Sequence, residues 1–201
     1  SETEAAIAEL GETGVSCAVF PARCGRPPIT WDELKTAIPD GGHASRKVII
    51  GGCCINGLKT VPPDMAPCTM QQERDCFEKL AGRTFVQAQL KNGAFMATPG
   101  WLSRWRRWLD ENHLDQATAR AFFKESVTGI VMLDSGTDDN ARQNLHAFAD
   151  FIDRPAVEMP VGIDIFKLYL HRCVLTEKQE ITRNRSENNE RQYLQERADF
   201  A

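Results

Sequence analysis

At 201 residues, 42% of them apolar, the chain has enough hydrophobic material for one sizeable core. A formal net charge of −4 offers no basic field to nucleic acid or anionic lipid, and no apolar run reaches the roughly 18–20 residues that a bilayer-spanning helix needs. Seven cysteines with no secretory leader before them argue against a disulfide scaffold. The expectation is a cytosolic chain with neither a nucleic-acid nor a membrane partner.

Taken in order, residues 1–14 read as a polar N-terminal segment opening on Ser1, as in a piece of a longer protein. Val15–Phe20 reads as a strand. Thr30–Ile38 reads as a helix, with Thr30 as N-cap and Glu33 three residues on, the spacing of a capping box. Lys47–Ile50 is a short apolar run of the kind that makes a buried strand, followed by a Pro-rich loop, VPPDMAP. A helix is expected around Gln71–Leu80, ending at Gly82. Ala94–Ala97 reads as a strand closed by Thr98-Pro99-Gly100.

WLSRWRRWLDEN, from Trp101, reads as one helix. Trp101, Trp105 and Trp108 are spaced four and three apart and share a face, while Arg104 and Arg107 point elsewhere. An aromatic–arginine platform for bases would interleave the two residue types on one face; a core-facing stripe fits the spacing better. Asp115–Lys124 is a further helix, Gly129–Leu133 the clearest buried strand, Asn140–Ile152 a helix and Val157–Pro160 a last short strand. Strands alternating with helices indicate an α/β domain, with a mostly parallel sheet of about five strands flanked by helices.

The final helix begins at Ile163, and from Thr176 its character changes. Residues 177–201 carry eleven charges of both signs and little apolar stripe beyond Ile181, Tyr193 and Leu194. Such a helix cannot pack on a core along its length. The expected organisation is an α/β ligand-binding domain over residues 15–172 and a charged helical connector over 173–201. The connector would pair two copies as a dimeric coiled coil and lead to an output domain.

In parallel sheets ligands sit beyond the carboxyl ends of the strands. Two loops occupy that position: Gly51–Gly57 and Asp134–Asp139. The first places Cys53 and Cys54 ahead of Asn56-Gly57. Five of the seven cysteines fall between positions 24 and 76, including Cys24 in ARCGRPP and Cys76 in QERDCFEKLAG. Cys76 is expected near a helix N-terminus, where thiolate is favoured. Cys24, Cys54 and Cys76 converging from three loops would suit a soft metal such as zinc or iron, with a fourth position open. The alternative for each cysteine is a small buried hydrophobe. Gly52, Asn56, Gly57, Asp134 and Ser135 complete the candidate ligand site.

In LDSGTDDN, Asp134, Asp138 and Asp139 have the oxygen ligands for Mg²⁺ or Ca²⁺. Thr137 or Asp138 as N-cap, with Asp139 favouring the helix dipole, accounts for the same letters. His43, His113, His146 and His171 form no metal pair, and hydrolase, P-loop and dinucleotide signatures are missing. No catalytic residue stands out.

GGCCINGL resembles a G-x-C-x-N-G-L loop, QERDCFEKLAG resembles a helix start built on Asp-Cys, and KNGAFMATPGWLSRW resembles a T-P-G-W segment. In this order they resemble the bacterial and archaeal domain-of-unknown-function family 1638, over roughly residues 15–172. The resemblance points to Cys54 and Cys76, with Gly100-Trp101 as a shared turn. Where the family tends to have His before Asp-Cys this chain has Arg74, and where it tends to have His-x-x-Pro this chain has Cys24-Gly-Arg-Pro27. What the resemblance implies is a small α/β binding domain, in some members beside genes of corrinoid methyl transfer and in others fused to signalling domains. The expected function is therefore a sensory, ligand-binding domain of a cytosolic signalling protein. It would hold a small-molecule or metal ligand, or a metal-containing cofactor such as a corrinoid, through its cysteines. The rival is a thiolate-metal enzyme or accessory protein of corrinoid-dependent methyl transfer.

Overall fold

A computed structural model describes residues 2–20, 23, 26–38, 46–72 and 75–199; at 192 and 194–199 it describes the backbone alone. Among the described residues five strands form, all paired in parallel, but they divide into two sheets rather than one. The smaller sheet pairs β1 (Lys47–Gly51) with β2 (Cys68–Gln72), in a register running from Lys47 opposite Cys68 to Gly51 opposite Gln72. The larger sheet has the order β3 (Ala94–Ala97), β4 (Gly129–Asp134), β5 (Ala156–Pro160).

β4 is central because its residues are apolar on both faces, as a strand covered on both sides requires. Ile130 and Met132 face one core, with Leu102, Trp105, Phe123 and Phe148. Val131 and Leu133 face the other, with Val86, Met96, Phe166 and Leu170. The first core is built from α5 (Pro99–Leu102), α6 (Trp105–Glu111), α7 (Gln116–Ser126) and α8 (Ala141–Ile152). Fully buried Phe148 meets Trp101 and Phe123 edge to face, with ring centroids 5.2 and 5.5 Å away. Trp105 is buried, and Trp101 and Trp108 pack against the same cluster, so the tryptophan stripe is core.

The second core is closed by α1 (Glu2–Leu10), α3 (Glu78–Ala81), α4 (Arg83–Lys91) and the first half of α9 (Asp164–Asp199). The residues expected as a polar N-terminal segment thus include a helix whose Ala6 is fully buried. On α9 the buried positions are Phe166, Leu170, Cys173 and Glu177, spaced three or four apart. Beyond Ile181 every described side chain is exposed. At 36 residues the helix is about 54 Å long, and its outer half stands away from the core. A third, smaller core joins α2 (Trp31–Ala37) to the small sheet through Ile29, Leu34, Ile49, Ile55, Leu58 and Met65. The capping box forms as read: the Glu33 N–H donates to Thr30 Oγ1, and the Thr30 N–H donates to Glu33 Oε2 at 2.9 Å.

Three expected elements differ. Val15–Phe20 joins neither sheet; it runs without regular structure, and Val19 is 46% exposed. The expected helix over Gln71–Leu80 begins instead as the end of β2, and only Glu78–Ala81 is helical before Gly82 turns the chain at φ 77° into α4. The tryptophan helix is two helices, because Thr98 caps a short turn that ends at Leu102 and Arg104 starts a new one. Among the described residues no helix is long and apolar enough to cross a membrane.

Candidate functional site

β1 ends in two glycines that do different work. A Cβ on Gly51 would lie 2.7 Å from the Ile55 side chain, so its absence lets buried Ile55 fold back over the strand end. A Cβ on Gly52 would lie 2.9 Å from Cys76 Sγ and 3.3 Å from the Cys76 backbone nitrogen. The bare backbone at Gly52 therefore admits the Asp75–Cys76 turn to close approach. The next residues wind into a one-turn 3₁₀ helix, Cys53–Ile55, anchored by buried Ile55 and Leu58. That turn leaves Cys53 exposed and Cys54 half-buried.

Cys54 and the exposed Cys76 consequently meet as a hydrogen-bonded thiol pair. No disulfide joins the described cysteines. The Cys76 hydrogen bond is the leading cause that brings the Cys54 thiol from its ordinary 9.0 down to about 6. Backbone N–H groups of Gly52 and Cys54 and the Lys79 charge act the same way, against the opposing effect of burial. Near neutral pH Cys54 is thus mainly thiolate, the form that ligates metals. The helix expected to acidify Cys76 is only four residues long, and the acidic thiol is Cys54. Burial instead pushes the thiols of Cys17, Cys68 and Cys173 up.

Lys79 was not singled out by sequence reasoning, although it stands three residues after Cys76 and so one helical turn away. It is 5% exposed, its ammonium donates to the Gly51 carbonyl at 2.8 Å, and it lies 5.7 Å from the Tyr169 ring centroid on α9. The strand end that carries the thiols is therefore tied to α9 by one buried cation.

The rest of the cysteine loop is braced from two sides. Asn56 accepts from the Gln72 side chain at the end of β2. The Ile29 N–H donates to the Cys54 carbonyl at 2.8 Å, and a Cβ on Gly57 would lie 3.2 Å from Pro28 and from the Ile29 carbonyl. The segment that follows Cys24 is thus seated on the Cys54 loop. Cys24 itself, His43 and Arg74 lie outside the described residues. Among the described residues, no group of three or more His, Cys, Asp or Glu side chains is placed to hold a metal ion.

Asp134 and Ser135 stand at the carboxyl end of β4, and their polar atoms serve the loop. Asp134 Oδ1 accepts from the Gly136 N–H at 2.9 Å, and its carbonyl accepts from Val161 and Gly162. Buried Ser135 pairs with Thr137 at 2.8 Å, and Asp138 accepts from the Asn140 N–H at 2.9 Å. Asn140, rather than Thr137 or Asp138, is the N-cap of α8. Beside this loop a cavity of about 520 Å³ opens between α1 and the start of α9, lined by Glu4, Glu9, Ser135, Gly162 and Lys167 among others, and by none of Gly52, Cys54 or Cys76. The expected site residues therefore fall into two places.

The family described as "Protein of unknown function (DUF1638)" matches residues 32–170, more than two thirds of the sequence. The chain belongs to this family. No curated protein and no solved structure matches it. The family region begins at α2 and ends on α9 at Leu170, so it holds Cys54, Cys76 and Lys79 and stops before the exposed half of the long helix.

Proposed function

We propose that this is a sensory domain that binds a soft metal, or a metal-containing cofactor, through Cys54 and Cys76 and reports its state to α9. The observation that carries the reading is the contact of Cys54 with Cys76 at a strand end that Lys79 ties to Tyr169. Thiolate sulfur suits zinc or iron, and two sulfurs leave positions for further ligands. Cys24 is the proposed third ligand, since its loop runs into the Pro28–Ile29 segment seated on Gly57. A binding site at the carboxyl end of β1 also fits the rule for parallel sheets.

The exposed helix is the proposed output element. Ile165, Leu168 and Leu175 are 47%, 70% and 44% exposed and lie three and seven residues apart, a spacing that supports pairing with a second copy. The cytosol is the proposed location, in keeping with thiols that are not cross-linked. The ionised state of Cys54 at neutral pH also favours a second reading, a thiolate-metal enzyme or accessory protein of corrinoid-dependent methyl transfer.

The test is metal content by mass spectrometry, with an ultraviolet–visible spectrum, on protein purified without oxygen. Near-stoichiometric metal or a coloured cofactor, lost in Cys54→Ser and Cys76→Ser, is the expected result. Metal-free, colourless protein overturns the reading, as does metal retained at full content by both variants. Turnover of a methyl donor by the loaded protein would move the assignment to the enzyme.

A further inference from the structure

Cys54 and Cys76 have a property that metal ligation alone does not require: their thiols are hydrogen-bonded to each other, and Gly52, two residues before Cys54, packs against the Asp75–Cys76 turn. The Gly52 backbone and the Asp75–Cys76 backbone approach closely enough that a methyl group between them would sit 3.3 Å from one backbone nitrogen. A hydrogen bond already joins the two thiols, and a sulfur–sulfur bond of about 2 Å asks the same two sulfurs for a closer approach. Cys76 is exposed and Cys54 half-buried, so a small reagent can reach the pair. Cys173, by contrast, is 6% exposed.

We propose that Cys54 and Cys76 are a dithiol redox pair that exchanges with low-molecular-weight disulfides and closes to an intramolecular disulfide. In the first step the Cys54 thiolate attacks one sulfur of the small disulfide. The Cys54–S bond forms, the S–S bond of the reagent breaks, and one small thiolate leaves. In the second step Cys76, having given up its proton to solvent, attacks Cys54 Sγ and expels the second small thiolate, closing the Cys54–Cys76 bond. The protein dithiol loses two electrons and two protons, and the small disulfide is reduced to two thiols.

Cys54 is assigned the first attack because its loop follows directly on Gly51, whose carbonyl holds the buried Lys79 ammonium at 2.8 Å. Cys76, on the facing turn, is placed to resolve the mixed disulfide. The regulatory consequence rests on the proposed metal site: once the disulfide closes, neither sulfur retains a thiolate to ligate, and oxidation empties the site.

The experiment uses the whole chain, reduced, stripped of metal by a chelator and mixed with oxidised glutathione. Samples are quenched with an alkylating agent and read by intact mass and peptide mapping. Wild-type protein is expected to lose two hydrogens, keep no glutathione and show one cross-link, Cys54 to Cys76. Cys76→Ser is expected to hold one glutathione on Cys54, and Cys54→Ser to react several-fold more slowly. A wild-type protein that keeps glutathione as a stable adduct overturns the proposal. So does a cross-link that engages Cys53 or Cys24, or a Cys54–Cys76 pair that stays reduced. Metal content of the reduced protein before stripping separates the two ideas. Metal bound without disulfide closure sinks the redox pair and leaves the metal site. Closure in a protein that binds no metal does the reverse.

Discussion

Gly52→Ala perturbs the thiol pair without removing a sulfur. The substitution adds one methyl at Gly52, on the side that faces the Asp75–Cys76 turn. That carbon would stand 2.9 Å from Cys76 Sγ, against the roughly 3.5–4.0 Å of a relaxed contact between heavy atoms. The sulfur must retreat by about 0.6 Å or more, and the hydrogen bond that leads the acidification of Cys54 is lost. In the limit the thiol returns from about 6 to 9.0. At pH 7 the thiolate fraction then falls from roughly nine-tenths to about one-hundredth, a change of about 90-fold. The exchange rate does not follow in proportion, because a more basic thiolate is a better nucleophile. With a Brønsted slope of about 0.4–0.5, the gain is roughly 15–30-fold, leaving a net slowing of only about 3–6-fold. The decisive assay is therefore the ultraviolet thiolate titration, not the rate. A folded Gly52→Ala protein that still titrates Cys54 near 6 would refute the close approach as the cause.

Lys79→Met removes a buried ammonium and leaves the Gly51 carbonyl without that donor; the expected destabilisation is about 1–3 kcal/mol by chemical denaturation, with a small rise in the Cys54 titration. An unchanged midpoint and titration would show that Lys79 holds neither group. The pH dependence has a defined sign. Because the folded pKa of Cys54 is depressed, the unfolded chain binds more protons between about pH 6 and 9.0, so stability rises with pH across that window and is lost as pH falls through about 6. Wild-type protein is expected to gain stability over this range relative to Cys54→Ser, and a relative loss would contradict the assignment. In the larger core, Phe148→Ala empties the space between Phe95, Trp101, Trp105 and Phe123 and is expected to cost about 3–5 kcal/mol in thermal unfolding. A cost under about 1 kcal/mol would mean that the aromatic cluster collapses to fill the gap.

Where a pattern is local, sequence and structure agree. The Thr30/Glu33 cap, the two-sided apolar run of β4 and the tryptophan stripe are each decided by residues near one another in the chain. Failures occur where pairing partners decide. Val15–Phe20 has strand letters but no neighbour to ladder with, whereas Cys68–Gln72 has the letters CTMQQ and becomes a strand because β1 lies alongside. The helix expected from Gln71 extends a real helical stretch backwards over that strand. At the site, Cys54 and Cys76 are legible because cysteines stand out in type and position. Lys79 is not, since a lysine on a helix ordinarily points to water, and only the fold shows that it is buried beneath a strand end. Asp134 looked like a ligand for the reason it is useful to the loop: a short carboxylate at a strand end accepts the N–H two residues on.

The placement of Lys79 gives the thiol pair an energetic link to α9. A buried ammonium is costly unless its charge and donors are compensated. Here the compensation comes from the Gly51 carbonyl, the face of Tyr169 and the negative charge at Cys54. The proposed metal ligation or disulfide closure would change the third of these and leave the other two. The remaining groups then carry more of the burden, and one of them is on α9, where Arg172 already stands 5.5 Å from the same ring. Five residues beyond Arg172, Glu177 pairs with Arg46, whose chain leads directly into β1. The small sheet thus grips the inner half of α9 at both ends of β1, by Arg46 before it and by Lys79 after it. A change in charge at the Cys54 end would alter one grip and not the other, an asymmetry in keeping with the proposed report to α9.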